Sequence, residues 1–189
     1  MNAPLLKDII DEKILNNRKV FLWGQVDDNS AQHVIERLLY LELKQPAQEI
    51  QLIINSPGGY VTSGMSIYDT IKSLSSPVST ICSGFAASMG SILLSAGQKG
   101  RRFVLPNARV MIHQPSGGVG GNASNIEIQM EELVKAKMLA AQILAANCGQ
   151  PVEKILRDFN RDHWMSAEES VAYGIVDATL SSIVQEQTH

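Results

Sequence analysis

Three segments place a polar side chain where packing does not call for one. The first is Gly84-Phe85-Ala86-Ala87-Ser88-Met89-Gly90, in which a strand pattern ending at Cys82 runs through Gly84 into a helix that begins near Ser88. A serine at that junction presents its hydroxyl at the carboxyl end of a strand. The helix start beside it favours developing negative charge. Its mechanics are those of a nucleophile elbow, although Ala86 stands where that motif has glycine. A plain N-cap or packing serine would read the same way. The second segment is Val110-Met111-Ile112-His113-Gln114-Pro115, where a histidine closes an apolar strand ahead of a glycine-rich loop. A satisfied core histidine also fits it. The third is Arg161-Asp162-His163-Trp164-Met165-Ser166. Asp162 is a candidate acid or an ordinary loop aspartate, and the adjacent His163 is a rival base.

Together the three meet one chemical requirement. A serine hydroxyl is a weak nucleophile until a base removes its proton, and a carboxylate must orient that base. Acyl transfer also needs N–H donors for the tetrahedral oxyanion. Pro57-Gly58-Gly59 offers backbone N–H groups unobstructed by side chains, and Met89 offers one at a helix start. One such donor is typically worth about 2.7–4 kcal/mol of barrier.

The elements that must position these groups follow from periodicity. Val20 to Trp23, Ile50 to Ile54 and Val78 to Cys82 read as strands, with Asn55 to Gly59 as a turn. Asp28 to Lys44, Val61 to Leu74 and Ser88 to Ala96 read as helices. Arg102 to Leu105 and Arg109 to His113 follow as strands, and Gln114 to Asn122 as a loop. Asn125 to Ala146 is a long helix, roughly 30 Å at ~1.5 Å per residue, with a Met/Leu/Ile stripe that needs a partner surface. Val152 to Phe159 is a short helix. Ser166-Ala167-Glu168-Glu169 opens the last helix as a capping box, and Gly174 closes it. Strand–helix alternation predicts an α/β fold with right-handed crossovers.

The chain of 189 residues is long enough for one domain, and no Pro/Gly/Ser linker divides it. Apolar residues make up 44% and charged residues 19%, which excludes a disordered chain. A net charge of −3 argues against a nucleic-acid partner. The one basic cluster, Lys99 to Arg102, reads as a polar turn. No apolar run reaches the ~18 residues of a membrane span, and the N-terminus lacks a secretory pattern. Cys82 and Cys148 lie in apolar runs and read as reduced, buried thiols, so the expected location is the cytoplasm.

Four motifs in order, Asn55 to Gly59, Gly64 to Asp69, Ala86 to Gly90 and Arg109 to Pro115, resemble the proteolytic subunit of the caseinolytic (Clp) serine peptidases. The similarity runs from about Val20 to about Leu180. It implies a Clp/crotonase-like α/β fold of repeated ββα units in a single domain over 1–189. A short N-terminal segment (1–18) would precede it, and a strand–helix handle (about 114–149) would protrude. The resemblance makes Ser88 the nucleophile, His113 the general base and Asp162 its orienting acid, with the Gly59 and Met89 N–H groups in the oxyanion hole. It implies a serine endopeptidase without cofactor or metal, acting on unfolded polypeptides inside two stacked seven-membered rings fed by an AAA+ ATPase.

Two departures from the family pattern stand out. Only Met1 to Lys13 precede the aligned part, where relatives carry a longer segment. The hollow that docks ATPase loops, usually rich in aromatics, reads here as Gln51, Ile53, Ser73 and Ser83 beside Ile81 and Phe103. Polar replacements there weaken docking, which favours a mixed ring with a second Clp subunit. The rival readings are a non-catalytic ring subunit and an acyl-CoA enzyme of the crotonase type. The latter would want glutamates at the site.

Overall fold

The computed structural model describes residues 5–118 and 120–183. The parts of the expected N-terminal segment and handle that fall on 1–4 and 119 lie outside the described residues.

The chain alternates as expected. Helix α1 (Leu6–Asn16) leads into strand β1 (Lys19–Trp23) and helix α2 (Asp28–Lys44). Asp27 caps α2 by accepting from the Ser30 N–H at 2.8 Å, and Ala31, Val34, Leu38 and Leu41 form its buried stripe. Val34, Leu38 and Leu41 each contribute about 1.5–3 kcal/mol by leaving water. Strand β2 (Ile50–Ser56), helix α3 (Val61–Ser73), strand β3 (Val78–Ala87) and helix α4 (Met89–Ser95) follow. Next come β4 (Arg102–Val104), β5 (Arg109–Ile112), the long α5 (Ala123–Cys148), α6 (Val152–Asp158), β6 (His163–Met165), α7 (Ala167–Tyr173) and β7 (Ala178–Thr179). The result is a mixed α/β fold.

The sheet runs β1-β2-β3-β4-β7 in parallel register, with β5 and β6 off this path. Strand β3 is longer than its sequence pattern. It was expected to end at Cys82 but continues to Ala87, and the two halves take different partners. Residues 80–82 pair with β4, while Phe85, Ala86 and Ala87 pair with Arg109, Val110 and Met111 of β5. Gly84, at φ +91, makes the bend between them, and the Asn55 side-chain oxygen accepts the Phe85 N–H at 3.2 Å beside it. Asn55 and Ser56, expected in a turn, therefore belong to β2. Strand β6 pairs antiparallel with β5.

Helix α5 buries only Ala140, Ala141, Leu144 and Ala145, all in its C-terminal half. Ile128, Met130 and Val134 remain exposed in the other half, so the helix projects from the sheet layers. Gly149 ends it in the left-handed conformation, as Gly174 ends α7.

The basic cluster at Lys99 to Arg102 is not simply a polar turn. Arg102 is 3% exposed, pairs with both oxygens of Asp177 and donates to the Asn147 carbonyl at 2.7 Å. It thereby ties β4 to the end of α5 and to the segment before β7. No helix among the described residues is long and apolar enough to cross a membrane.

Candidate active site

The nucleophile candidate stands on an unusual backbone. Ser88, at φ +54 and ψ −124, links the end of β3 to the start of α4. A non-glycine residue at positive φ costs of order 1–3 kcal/mol and persists only where its surroundings hold it. Here the Ser88 N–H donates to the Met111 carbonyl at 2.9 Å, while the Ser88 carbonyl accepts from the Ser91 N–H at 3.0 Å and the Ser91 hydroxyl at 2.6 Å. The effect is to turn the Ser88 side chain out of the sheet toward His113.

The base candidate comes from the next strand. His113 directly follows β5, and its Nε2 lies 2.8 Å from Ser88 Oγ. Its Nδ1 lies 3.1 Å from Asp162 Oδ1. This geometry accommodates the tautomer in which Nδ1–H donates to the carboxylate and Nε2 accepts from the serine hydroxyl. Asp162 precedes β6. Three neighbouring strand ends thus bring Ser88, His113 and Asp162 into one hydrogen-bonded line. The rival base, His163, is not in this line: its ring tilts against Tyr173 at a centroid distance of 5.7 Å.

The two expected N–H donors lie beside the serine. Val26 bridges to the Gly59 strand edge, with the Val26 N–H donating to the Gly58 carbonyl and the Tyr60 N–H to the Val26 carbonyl, both at 2.8 Å. That alternation turns the Gly59 N–H away from Val26. The Met89 N–H is the first of helix α4. Among the described residues neither group donates to an intrachain acceptor.

Gly58 is the position the sequence undervalued. A Cβ there would fall 2.7 Å from Ser88 Cβ and 2.8 Å from the Met89 nitrogen, so the loop approaches Ser88 as closely as only glycine allows. An apolar recess opens beside the serine, lined by Val61, Met65, Met89, Ile92, Pro115 and Ala140 together with Ser88 and His113. Among the described residues no group of His, Cys, Asp and Glu is arranged to hold a metal ion.

A family model described as Clp protease matches residues 5–182. The chain belongs to the Clp protease family. The mixed α/β architecture is the fold of that family, and a peptidase is the activity that the family name carries. One expectation changes. The Clp protease match begins at residue 5, so α1 lies inside the matched region and not before it. The joint is well made: the Arg18 side chain donates to the carbonyls of Leu41, Gln48 and Glu49. Of the residues expected at the hollow, Ile53, Ile81 and Phe103 are register partners in one row across β2, β3 and β4, with Ile53 and Ile81 fully buried. Ser73 is exposed, and Gln51 and Ser83 are half-buried.

Proposed function

We propose that this protein is a Clp-type serine endopeptidase subunit with Ser88 as nucleophile, His113 as general base and Asp162 as orienting acid. The observation that carries this reading is the line of contacts from Ser88 Oγ through His113 to Asp162, at 2.8 and 3.1 Å. His113 Nε2 takes the hydroxyl proton as Ser88 Oγ attacks the peptide carbonyl. The oxyanion lies between the Gly59 and Met89 N–H groups. The imidazolium then passes its proton to the leaving amine, and water, deprotonated by the same nitrogen, releases the acyl group from the serine. The substrate's side chain would rest in the apolar recess next to Ser88. No cofactor enters this scheme.

The reading extends to a single domain over 1–189 that assembles into two stacked rings, alone or mixed with a second Clp subunit. The exposed apolar residues of α5 would form the interface between the rings. Unfolded polypeptides would be delivered by an AAA+ ATPase in an ATP-dependent manner. Cys82 and Cys148 are free thiols, which fits the cytoplasm. Among the described residues lining the recess there is no glutamate, which weighs against a crotonase-type acyl-CoA enzyme.

A fluorophosphonate and a short fluorogenic peptide test the proposal together. The expected result is one covalent adduct on Ser88, absent from Ser88→Ala, and peptide hydrolysis lost in the same variant. An assembled ring that neither reacts nor hydrolyses would overturn it in favour of a non-catalytic subunit.

A further inference from the structure

We infer that Tyr173 is a positioning residue for the acid of the relay, bracing both ends of the 158–163 segment that brings Asp162 to His113. This rests on the peptidase reading above.

The need for a brace comes from Asp162 itself. Its side chain is 63% exposed, and among the described residues the side-chain hydrogen bond found for it is the one to His113. An exposed carboxylate on a short loop keeps its rotamer freedom unless the chain on either side is fixed. The loop is bounded by Asp158, the last residue of α6, and His163, the first of β6. Both rest on Tyr173, which is 8% exposed at the end of α7.

The Tyr173 hydroxyl donates to Asp158 Oδ2 at 2.8 Å. One side of its ring carries Lys154 Nζ, 4.2 Å from the centroid, and Lys154 also pairs with Asp158. The His163 ring packs against the same ring. The Tyr173 carbonyl accepts from Gln150 Nε2 at 3.0 Å, which joins the start of α6 to this hub. Burial and the Asp158 carboxylate push the phenol above its ordinary value, so it remains a donor at neutral pH. Burial opposes the charge on Asp158, but hydrogen bonds from Lys154 and Tyr173 outweigh it and hold the carboxyl below its usual range. The middle of the loop is tied separately. Phe159 is fully buried, its carbonyl accepts from the Gln114 N–H at 2.6 Å, and Gln114 Nε2 donates to the Asn160 carbonyl at 3.1 Å. Asp162 is therefore set by anchors at 158, 159, 160 and 163, and Tyr173 makes two of them.

Tyr173→Phe tests this, because it keeps the ring and removes only the hydroxyl. Purified wild type and variant are compared in peptide hydrolysis and in the rate of fluorophosphonate reaction at Ser88. The expected result is a fall of about tenfold in kcat and in labelling rate, with KM unchanged within about twofold. Asp158→Ala, which removes the acceptor of the Tyr173 hydroxyl, should do the same, and it carries the test if Tyr173→Phe does not fold. The deciding measurement is the double-mutant cycle with Asp162→Ala. In that background Tyr173→Phe should leave the labelling rate unchanged, because the residue it positions has gone. An equal fall in both backgrounds, or no fall in either, overturns the inference and leaves the peptidase reading intact. A wild type that fails to react at Ser88 overturns the peptidase reading and this inference with it.

Discussion

Ile112 and His163 face each other in the antiparallel pairing of β5 with β6, and one further step along that register sets His113 opposite Asp162. The neighbouring parallel pairing, Ala87 with Met111, does the same for Ser88 by bringing it alongside the end of β5. The Ser88–His113–Asp162 line is thus a product of strand register: a slip of one residue would turn each side chain to the other face of the sheet.

Asp162→Asn tests the acid. An asparagine can donate to Nδ1 and so favour the tautomer whose Nε2 cannot accept the serine proton. Turnover of a fluorogenic peptide should fall on the order of 10⁴-fold with the fold unchanged. Near-normal turnover would exclude Asp162 from the role. Asp158 would not be an obvious substitute, since Lys154 and Tyr173 already engage its carboxylate.

Gly58→Ala tests the close approach beside Ser88. The added methyl would meet Ser88 Cβ and the Met89 nitrogen inside van der Waals contact, at a residue with φ +88. The loop must withdraw, carrying the Gly59 N–H with it. Ser88 labelling should slow by about a hundredfold, while circular dichroism stays near wild type. Labelling at the wild-type rate would mean that the loop does not constrain the reaction.

Asp177→Asn tests the buried ion pair. Burial disfavours the Asp177 charge, but hydrogen bonds and charge from Arg102 hold its carboxyl below the ordinary aspartate value. A depressed folded value means that the stabilisation is complete above the unfolded value and is lost as pH falls through the folded one. Wild type should therefore lose stability below about pH 4, and the variant should show a flatter acid limb. At neutral pH the variant should be about 3–5 kcal/mol less stable, because Arg102 is left buried without its counter-charge. Denaturant melts across pH supply both readings.

The thiols provide a control on the choice of nucleophile. Burial pushes both Cys82 and Cys148 up to about 12. At about pH 8 the thiolate fraction is negligible, so iodoacetamide should leave the folded protein unmodified by mass and its hydrolysis unchanged. Unfolding in urea should expose both. Alkylation of the folded chain with loss of activity would contradict this.

Val134→Glu tests the projecting helix. Val134 is 55% exposed on α5 beside Met130. If that face joins the two rings, a buried unpaired carboxylate there should separate them, and native mass measurement should give a species of half the mass. An undivided assembly would place the ring interface elsewhere.

The helices were legible where local signals agreed. Asp28–Lys44 shows its cap and its stripe, and Ser166 with Glu169 shows a capping box that the structure makes at 2.7 and 3.2 Å. Strands β6 and β7, of three and two residues, are too short for periodicity, and the neighbouring strand decides them. Helix α1 carries Leu6, Ile9, Ile10 and Ile14 at helical spacing, a signal that the mixture of charges and aliphatics at the N-terminus obscured, and it buries none of its residues. Gly84 reads as a break, yet β3 passes through it because Asn55 holds the bend. At the site, residue types pointed to Ser88, His113 and Asp162, but the positive φ of Ser88 and the contact of Gly58 arise only from the folded chain. The hub at Tyr173 left no sequence signal, because the Lys154–Asp158 pair of α6 meets His163 and Tyr173 only through tertiary packing.

The order in which β3, β5 and β6 leave the ribosome carries a consequence for biosynthesis. A nascent chain that has emerged as far as α5 holds its alcohol and imidazole but not yet the carboxylate, nor the short strand that completes their alignment. On the proposed chemistry such a chain is inert toward its neighbours. Competence to cut protein would arrive only once β6 has been made, a safeguard built into the order of the strands.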